Sequence, residues 1–164
     1  MSKITGRVRR FEDNIDTDVI APAPVLQLPI EELKKHAFAP IIPEFYKTVN
    51  KGDIIVAGKN FGCGSSREQA TEVVKALGIN YVVCDSMARI YFRNCVCLGL
   101  YPIISRGVNQ MFNEGDEIEI DTNGNIKNSR TGNTCTFEPL SGTPQQILNA
   151  GGILSFLKKM VNNN

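Results

Sequence analysis

Apolar and polar positions fall into short blocks whose period changes along the chain. Residues 4–11 form a moderately apolar run ending at the turn-rich Glu12-Asp13-Asn14, which predicts a first strand. A short apolar stretch at 19–21 follows, and Pro22, Pro24 and Pro29 exclude regular structure between them. Pro29 suits the first position of a helix over 30–37, with Glu31 and Glu32 in its favourable first turn. A second short helix is expected over 43–49. Residues 54–57 are continuously apolar and β-branched, as in a strand buried on both faces. The loop 58–64 then leads to Ser65 or Ser66, each a good N-cap for a helix running to Leu77, with Gly78 just past its end. A strand over 80–84, a helix over 87–98 capped by Ser86 and ended by Gly99, and a strand over 100–104 complete this part.

Strand, helix, strand, helix, strand with short joints is the pattern of βαβ units and a parallel sheet. After Gly107 the period shortens: residues 117–121 alternate, Asn123-Gly124 is a strong hairpin turn, 125–128 return, and 134–137 add a strand. Thr143 is placed to cap a helix to Ala150, and Gly151-Gly152 separates it from an amphipathic helix over 153–160. The expectation is one α/β domain over residues 1–164, with a mostly parallel central sheet and a small antiparallel section.

Composition narrows the function classes. Lys and Arg number 18 against 17 Asp and Glu, which argues against a nucleic-acid footprint or an anionic-membrane partner. The five cysteines show no framework spacing, and the first ten residues carry no apolar run, so a reducing, cytoplasmic location without a signal peptide is expected. Cys95 and Cys97 lie about 200° apart around a helix at 100° per residue, so they face apart and form no ligand pair. No cofactor or metal is expected to be bound by this chain. Cys63, near a helix start in the glycine-rich loop, is the thiol whose thiolate such a position would favour.

That loop is the main chemical candidate. Three glycines in seven residues let the backbone approach a ligand closely, and Ser65, Ser66 and Arg67 bring two hydroxyls and a guanidinium to the same spot. Exposed N–H groups, a helix start and an arginine fork all favour a carboxylate or phosphate. The same residues also suit a tight strand-to-helix turn, and the spacing is neither the dinucleotide nor the Walker fingerprint. Asp13, Asp16 and Asp18 read as turn chemistry and solvated surface, or as groups that bind a cation or orient a catalytic partner.

Four ordered stretches carry a family resemblance. Gly58-Lys59-Asn60-Phe61-Gly62-Cys63-Gly64-Ser65-Ser66-Arg67-Glu68 resembles the signature of the small subunits of 3-isopropylmalate dehydratase and homoaconitase. Asp13-Asn14-Ile15-Asp16-Thr17-Asp18, Ser86-Met87-Ala88-Arg89-Ile90-Tyr91-Phe92-Arg93-Asn94 and Ala150-Gly151-Gly152-Ile153 resemble three further motifs of that family, in order. The resemblance implies a swivelling β/β/α domain that docks on a large catalytic subunit, as a heterodimer or heterotetramer. It places a [4Fe-4S] cluster on that large subunit.

By position, Ser65 resembles the family's catalytic base, Ser66 and Arg67 its carboxylate binders, and Asp18 a supporting acid–base aspartate. Val25, Leu26, Gln27 and Leu28 occupy the place of its specificity loop. An uncharged Gln27 among apolar neighbours suits a small branched malate better than a substrate with a third carboxylate. The implied activity is the interconversion of 2- and 3-isopropylmalate by dehydration and rehydration, in leucine biosynthesis. Homoaconitase and 2,3-dimethylmalate dehydratase are alternatives within that chemistry, and a stand-alone anion-binding module is the alternative from another class. Gln69 departs from the family's usual histidine.

Overall fold

The computed structural model describes residues 2–164, so Met1 lies outside the description. Strand β1 (Lys3–Arg10) is followed by the short helices α1 (Thr17–Ile20), α2 (Ile30–Leu33) and α3 (Phe45–Thr48). The alternating part is β2 (Ile54–Ala57), α4 (Gln69–Ala76), β3 (Tyr81–Cys84), α5 (Arg89–Leu98) and β4 (Tyr101–Ile104). Then come β5 (Glu117–Asp121), β6 (Asn125–Asn128), β7 (Thr134–Thr136), α6 (Gly142–Ala150) and α7 (Ile153–Asn162).

All seven strands join one sheet in the order β4-β3-β2-β1-β5-β6-β7. The run from β4 to β1 is parallel and the run from β1 to β7 antiparallel, so the expected α/β architecture with an antiparallel section is present. Strand β1 serves both parts by dividing its length. Residues from Lys3 to Arg7 pair with β5, and residues from Val8 to Arg10 pair with β2. Just past β4, Ser105 Oγ donates to the Thr136 carbonyl in β7 at 2.8 Å, so the sheet curls until its two edges approach.

Burial on both faces explains the unbroken apolar runs of β2 and β3. Ile55, Ala57, Val82 and Cys84 face the helices, where Phe11, Phe38, Phe45 and Phe61 fill the core. Ile54, Val56 and Val83 face the inside of the curl with Val8, Ile118, Ile120 and Ile126. Phe11, Phe38 and Phe45 form an aromatic cluster with ring centroids 4.5 to 5.6 Å apart, and the Arg9 guanidinium lies 4.4 Å over Phe45. Among the described residues, no helix is long and apolar enough to cross a membrane.

Helices α4 and α5 start later than the sequence pattern predicts. Neither Ser65 nor Ser66 caps α4, which opens at Gln69 without a side-chain cap. Thr17 N–H donates to the Cys63 carbonyl at 2.8 Å and Thr17 Oγ1 to the Ser65 carbonyl at 2.9 Å. Those bonds hold residues 63–65 in a ribbon, and the chain turns helical only beyond Arg67. Ser86 likewise fails to cap α5, which opens at Arg89: Ser86 Oγ accepts from Asn60 N–H, and Met87 bridges to Phe61. Ser141 rather than Thr143 precedes α6. At the starts of α4 and α5 the foreseen cap is displaced because a long-range contact competes for the same segment.

Candidate functional site

The carboxyl ends of β1, β2 and β3 lie side by side, and the chain segments leaving them continue that order. Phe61 is bracketed: its N–H donates to the Ser86 carbonyl at 3.1 Å and its carbonyl accepts from Ala88 N–H at 2.9 Å. On the other side, Gly62 N–H donates to the Ile15 carbonyl at 2.8 Å, and Asn14 N–H to the Lys59 carbonyl at 2.8 Å. Asp13 Oδ1 accepts from Lys59 N–H at 2.7 Å. The aspartate-rich and glycine-rich segments, read separately in the sequence, are therefore two sides of one ribbon.

Asn14 and Asn60 turn these segments at φ 57° and 60°, the left-handed conformation that asparagine tolerates, and Asn60 Nδ2 donates to Asn14 Oδ1 at 3.1 Å. Gly64 sits at φ 96°, where a Cβ would lie 2.6 Å from Asp16 Oδ2. Asp16 cannot simply yield, because its Oδ1 accepts from Asp18 N–H at 2.7 Å and caps α1.

Beyond this ribbon lies a cleft of about 320 Å³ lined by Ser65, Ser66 and Arg67 together with Thr17, Arg89 and Asn94, among others. The backbone of Ser65 is fixed: its carbonyl accepts from Thr17 Oγ1 at 2.9 Å and from Arg67 N–H at 2.9 Å. Its hydroxyl and that of Ser66 are exposed and have no partner among the described residues. Arg67 is one-fifth exposed and uses only Nη1, donating to Asp18 Oδ1 at 2.8 Å and to the Ala21 carbonyl at 3.2 Å. The Nε–Nη2 edge of the fork is uncommitted, a geometry that matches a carboxylate.

Asp18 is exposed, and the hydrogen bond from Arg67, aided by the Ala23 N–H at 3.0 Å, holds its carboxyl below the ordinary range. Asp18 does not itself line the cleft and is joined to it by the ion pair with Arg67. Burial, reinforced by the nearby Asp16 carboxylate, pushes the Cys63 thiol up. The thiolate-favouring environment expected for Cys63 is absent, since no helix starts at that loop. Under the cleft, Tyr91 is fully buried, its hydroxyl donates to the Ala70 carbonyl at 3.0 Å, and its ring packs edge-on to Phe61 at 5.4 Å. That contact locks α5 against α4.

Four of the eight site residues expected from sequence meet here: Ser65, Ser66 and Arg67 in the cleft, and Asp18 through its ion pair. Val25, Leu26, Gln27 and Leu28 do not line it. Val25, Leu26 and Leu28 are half-buried against the helix-side core, and the exposed Gln27 donates to the Pro24 carbonyl at 3.2 Å. Their tie to the site is the neighbouring Ala23, held by Asp18. Sequence reasoning assigned no site role to Thr17 or Arg89, and read Asp16 only as one of three aspartates that could orient a catalytic partner. Thr17 and Asp16 sit inside the quoted Asp-Asn-Ile-Asp-Thr-Asp stretch. Arg89 carried a local signal, a cation at a helix start.

Among the described residues, no group of three or more His, Cys, Asp or Glu is disposed to hold a metal ion. Cys84 and Cys95 are buried, and burial pushes Cys84 up to about 12 and Cys95 well above its ordinary value. The described residues do not fit an iron–sulfur cluster, which needs thiolates on a shared centre.

Comparison with known proteins agrees over nearly the whole chain. Residues 30–106 match the aconitase C-terminal domain. The 3-isopropylmalate dehydratase small subunit 1 of Thermotoga maritima is 47% identical over 159 residues, covering 95% of each chain. The isopropylmalate/citramalate isomerase small subunit of Methanocaldococcus jannaschii is 46% identical over 160 residues, covering 96% of this chain and 95% of that one. A crystal structure of 3-isopropylmalate dehydratase from Methanocaldococcus jannaschii superposes with a TM-score of 0.92 at 42% identity, covering 98% of this chain and 96% of the other.

Proposed function

The chain belongs to the family of 3-isopropylmalate dehydratase small subunits, and from that premise we propose that it supplies half of an active site interconverting 2- and 3-isopropylmalate. The observation that carries this reading is the cleft lined together by two serines with unpartnered hydroxyls and an arginine with one free edge. The other half belongs to a large subunit, on which we place the [4Fe-4S] cluster, since the described residues of this chain offer no ligand set for it.

Each residue's part follows from its geometry. The Nε–Nη2 edge of Arg67 receives a substrate carboxylate, with Asp18 holding the guanidinium in place from the opposite side. Ser65 Oγ, as alkoxide, takes the proton from the carbon bearing a carboxylate. The C–H electron pair forms the double bond as hydroxide leaves the neighbouring carbon; the cluster placed on the large subunit would supply the electrophile that accepts that hydroxide. In rehydration the Ser65 hydroxyl returns its proton to carbon. A serine hydroxyl is too weakly acidic to do this unaided, so the adjacent positive charge of Arg67 must stabilise the anion, as an oxyanion hole does. Ser66 donates to the same substrate carboxylate.

The segment Val25 to Leu28 we assign to substrate choice. It presents an uncharged Gln27 and no cation for a third carboxylate, which supports a branched malate. The relative named for both isopropylmalate and citramalate supports acceptance of the shorter methyl substituent as well.

The test is reconstitution. The isolated chain should show no turnover of 3-isopropylmalate, and activity should appear on adding a cluster-loaded large subunit. Ser65→Ala should then lower kcat by at least about 10²-fold, a common loss when a positioned base is removed, while subunit association is kept. Turnover by the small chain alone, or an Ala variant near the wild-type rate, defeats the reading.

A further inference from the structure

We propose that Arg89 is a second carboxylate-binding residue of the cleft, gripping the substrate carboxylate that Arg67 does not hold. The proposal rests on the dicarboxylate substrate argued above and adds a residue to which no role has been attached. No Asp or Glu lines the cleft, whereas two arginines do. The charge of Arg67 is shared with Asp18 at 2.8 Å. The guanidinium of Arg89 is exposed and makes no hydrogen bond or ion pair among the described residues.

Its position is electrostatically unfavourable three times over. Arg89 is the first residue of α5, at the positive end of a ten-residue helix. No acidic residue occupies that first turn. One turn on, at the i+4 position, stands a second unpaired cation, Arg93. A dianion entering the cleft relieves this arrangement, and a substrate with carboxylates on neighbouring carbons can span two guanidinium groups.

The scaffold behind Arg89 is stiff, because Ala88 N–H is bound to the Phe61 carbonyl and the Tyr91 hydroxyl to the Ala70 carbonyl. The cleft therefore offers two cations from two elements, one following β2 and one opening α5.

The chemistry gives Arg89 a distinct signature. Both hydroxy acids and the unsaturated dicarboxylate between them keep both carboxylates, so a grip on one is used equally in every state. Losing such uniform binding raises KM and leaves kcat largely intact, unlike loss of a base. It also lets the unsaturated dianion escape before rehydration.

In the reconstituted enzyme, Arg89→Gln is expected to raise KM for 3-isopropylmalate roughly ten- to hundredfold, the usual worth of a charge-assisted pair. More free unsaturated dicarboxylate should accumulate per turnover. Arg89→Lys should recover part of the loss. Arg93→Gln makes the same charge change on the same helix outside the cleft lining, and it should raise KM by no more than about twofold, the worth of the i,i+4 repulsion it removes. An unaltered KM in Arg89→Gln overturns the inference. So does an equal rise in Arg93→Gln, or a defect confined to large-subunit affinity with normal KM at saturation. A wild-type complex inactive on 3-isopropylmalate sinks the functional reading and this inference with it, whereas an active wild type with an indifferent Arg89 sinks the inference alone.

Discussion

Gly64→Ala isolates the backbone feature that holds Ser65 in place. At φ 96° an alanine sits in the left-handed region, at a cost of about 1–2 kcal/mol. Its Cβ would also lie 2.6 Å from Asp16 Oδ2 and 2.9 Å from Asp16 Cγ. To make room, Asp16 must move off the Asp18 N–H that it caps, and losing such a cap costs about 1 kcal/mol. Together the variant should lose about 2–3 kcal/mol, which for a chain of this size lowers Tm on the order of 10 °C.

The control is Gly132→Ala, at φ 79° with nothing within 4 Å of a built Cβ, which pays the conformational cost alone. Urea unfolding of both variants gives the clash by difference, expected at about 1 kcal/mol. In the reconstituted enzyme Gly64→Ala should also lose more turnover than its remaining folded fraction explains, because Ser65 is the next residue. If the two variants unfold within about 0.3 kcal/mol of each other, Asp16 does not pack against Gly64 as described, and the support for Ser65 must come from elsewhere.

Two more outcomes follow from the charges. Asp116 is 7% exposed and accepts from Arg130 Nε at 2.7 Å, Asn113 N–H at 2.8 Å and Asn128 Nδ2 at 2.9 Å, and the Arg130 bond above all holds its carboxyl far below the ordinary range. Because its folded value is the depressed one, its contribution is present above about pH 4 and lost as pH falls toward the folded value. Asp116→Asn should therefore be less stable near neutrality by about 1–3 kcal/mol and lose less on acidification, as read by urea midpoints against pH. A parallel acid limb in both proteins would contradict this. Gln27→Arg, by adding a cation to the segment assigned to substrate choice, should shift relative kcat/KM toward homoisocitrate roughly ten- to hundredfold. A wild type that already prefers the tricarboxylate removes Gln27 from that role.

The elements that sequence alone determined are those whose signal is local or comes from burial on both faces. Strands β2 and β3 read as continuous apolar runs because the sheet is covered on both sides there, and the Asn123-Gly124 hairpin reads from turn chemistry in adjacent residues. The serines and the arginine of the glycine-rich loop were legible as a candidate anion grip for the same local reason, and the structure brings them to one cleft. Helix starts were not. Ser65, Ser66 and Ser86 have the right chemistry for caps, yet the first two leave their hydroxyls free and the third accepts from Asn60 N–H.

Tertiary structure decided what those residues face. Placing β1 beside β2 sets the aspartate-rich segment along the glycine-rich one, and so joins Asp18 to Arg67 across 49 residues of chain. The same strand order carries Phe61 against Met87 and turns Arg89 into the cleft. No local propensity encodes such pairings. They arise because a parallel sheet buried on both faces aligns the ends of strands distant in sequence, and the loops leaving those ends must satisfy their backbone hydrogen bonds with each other.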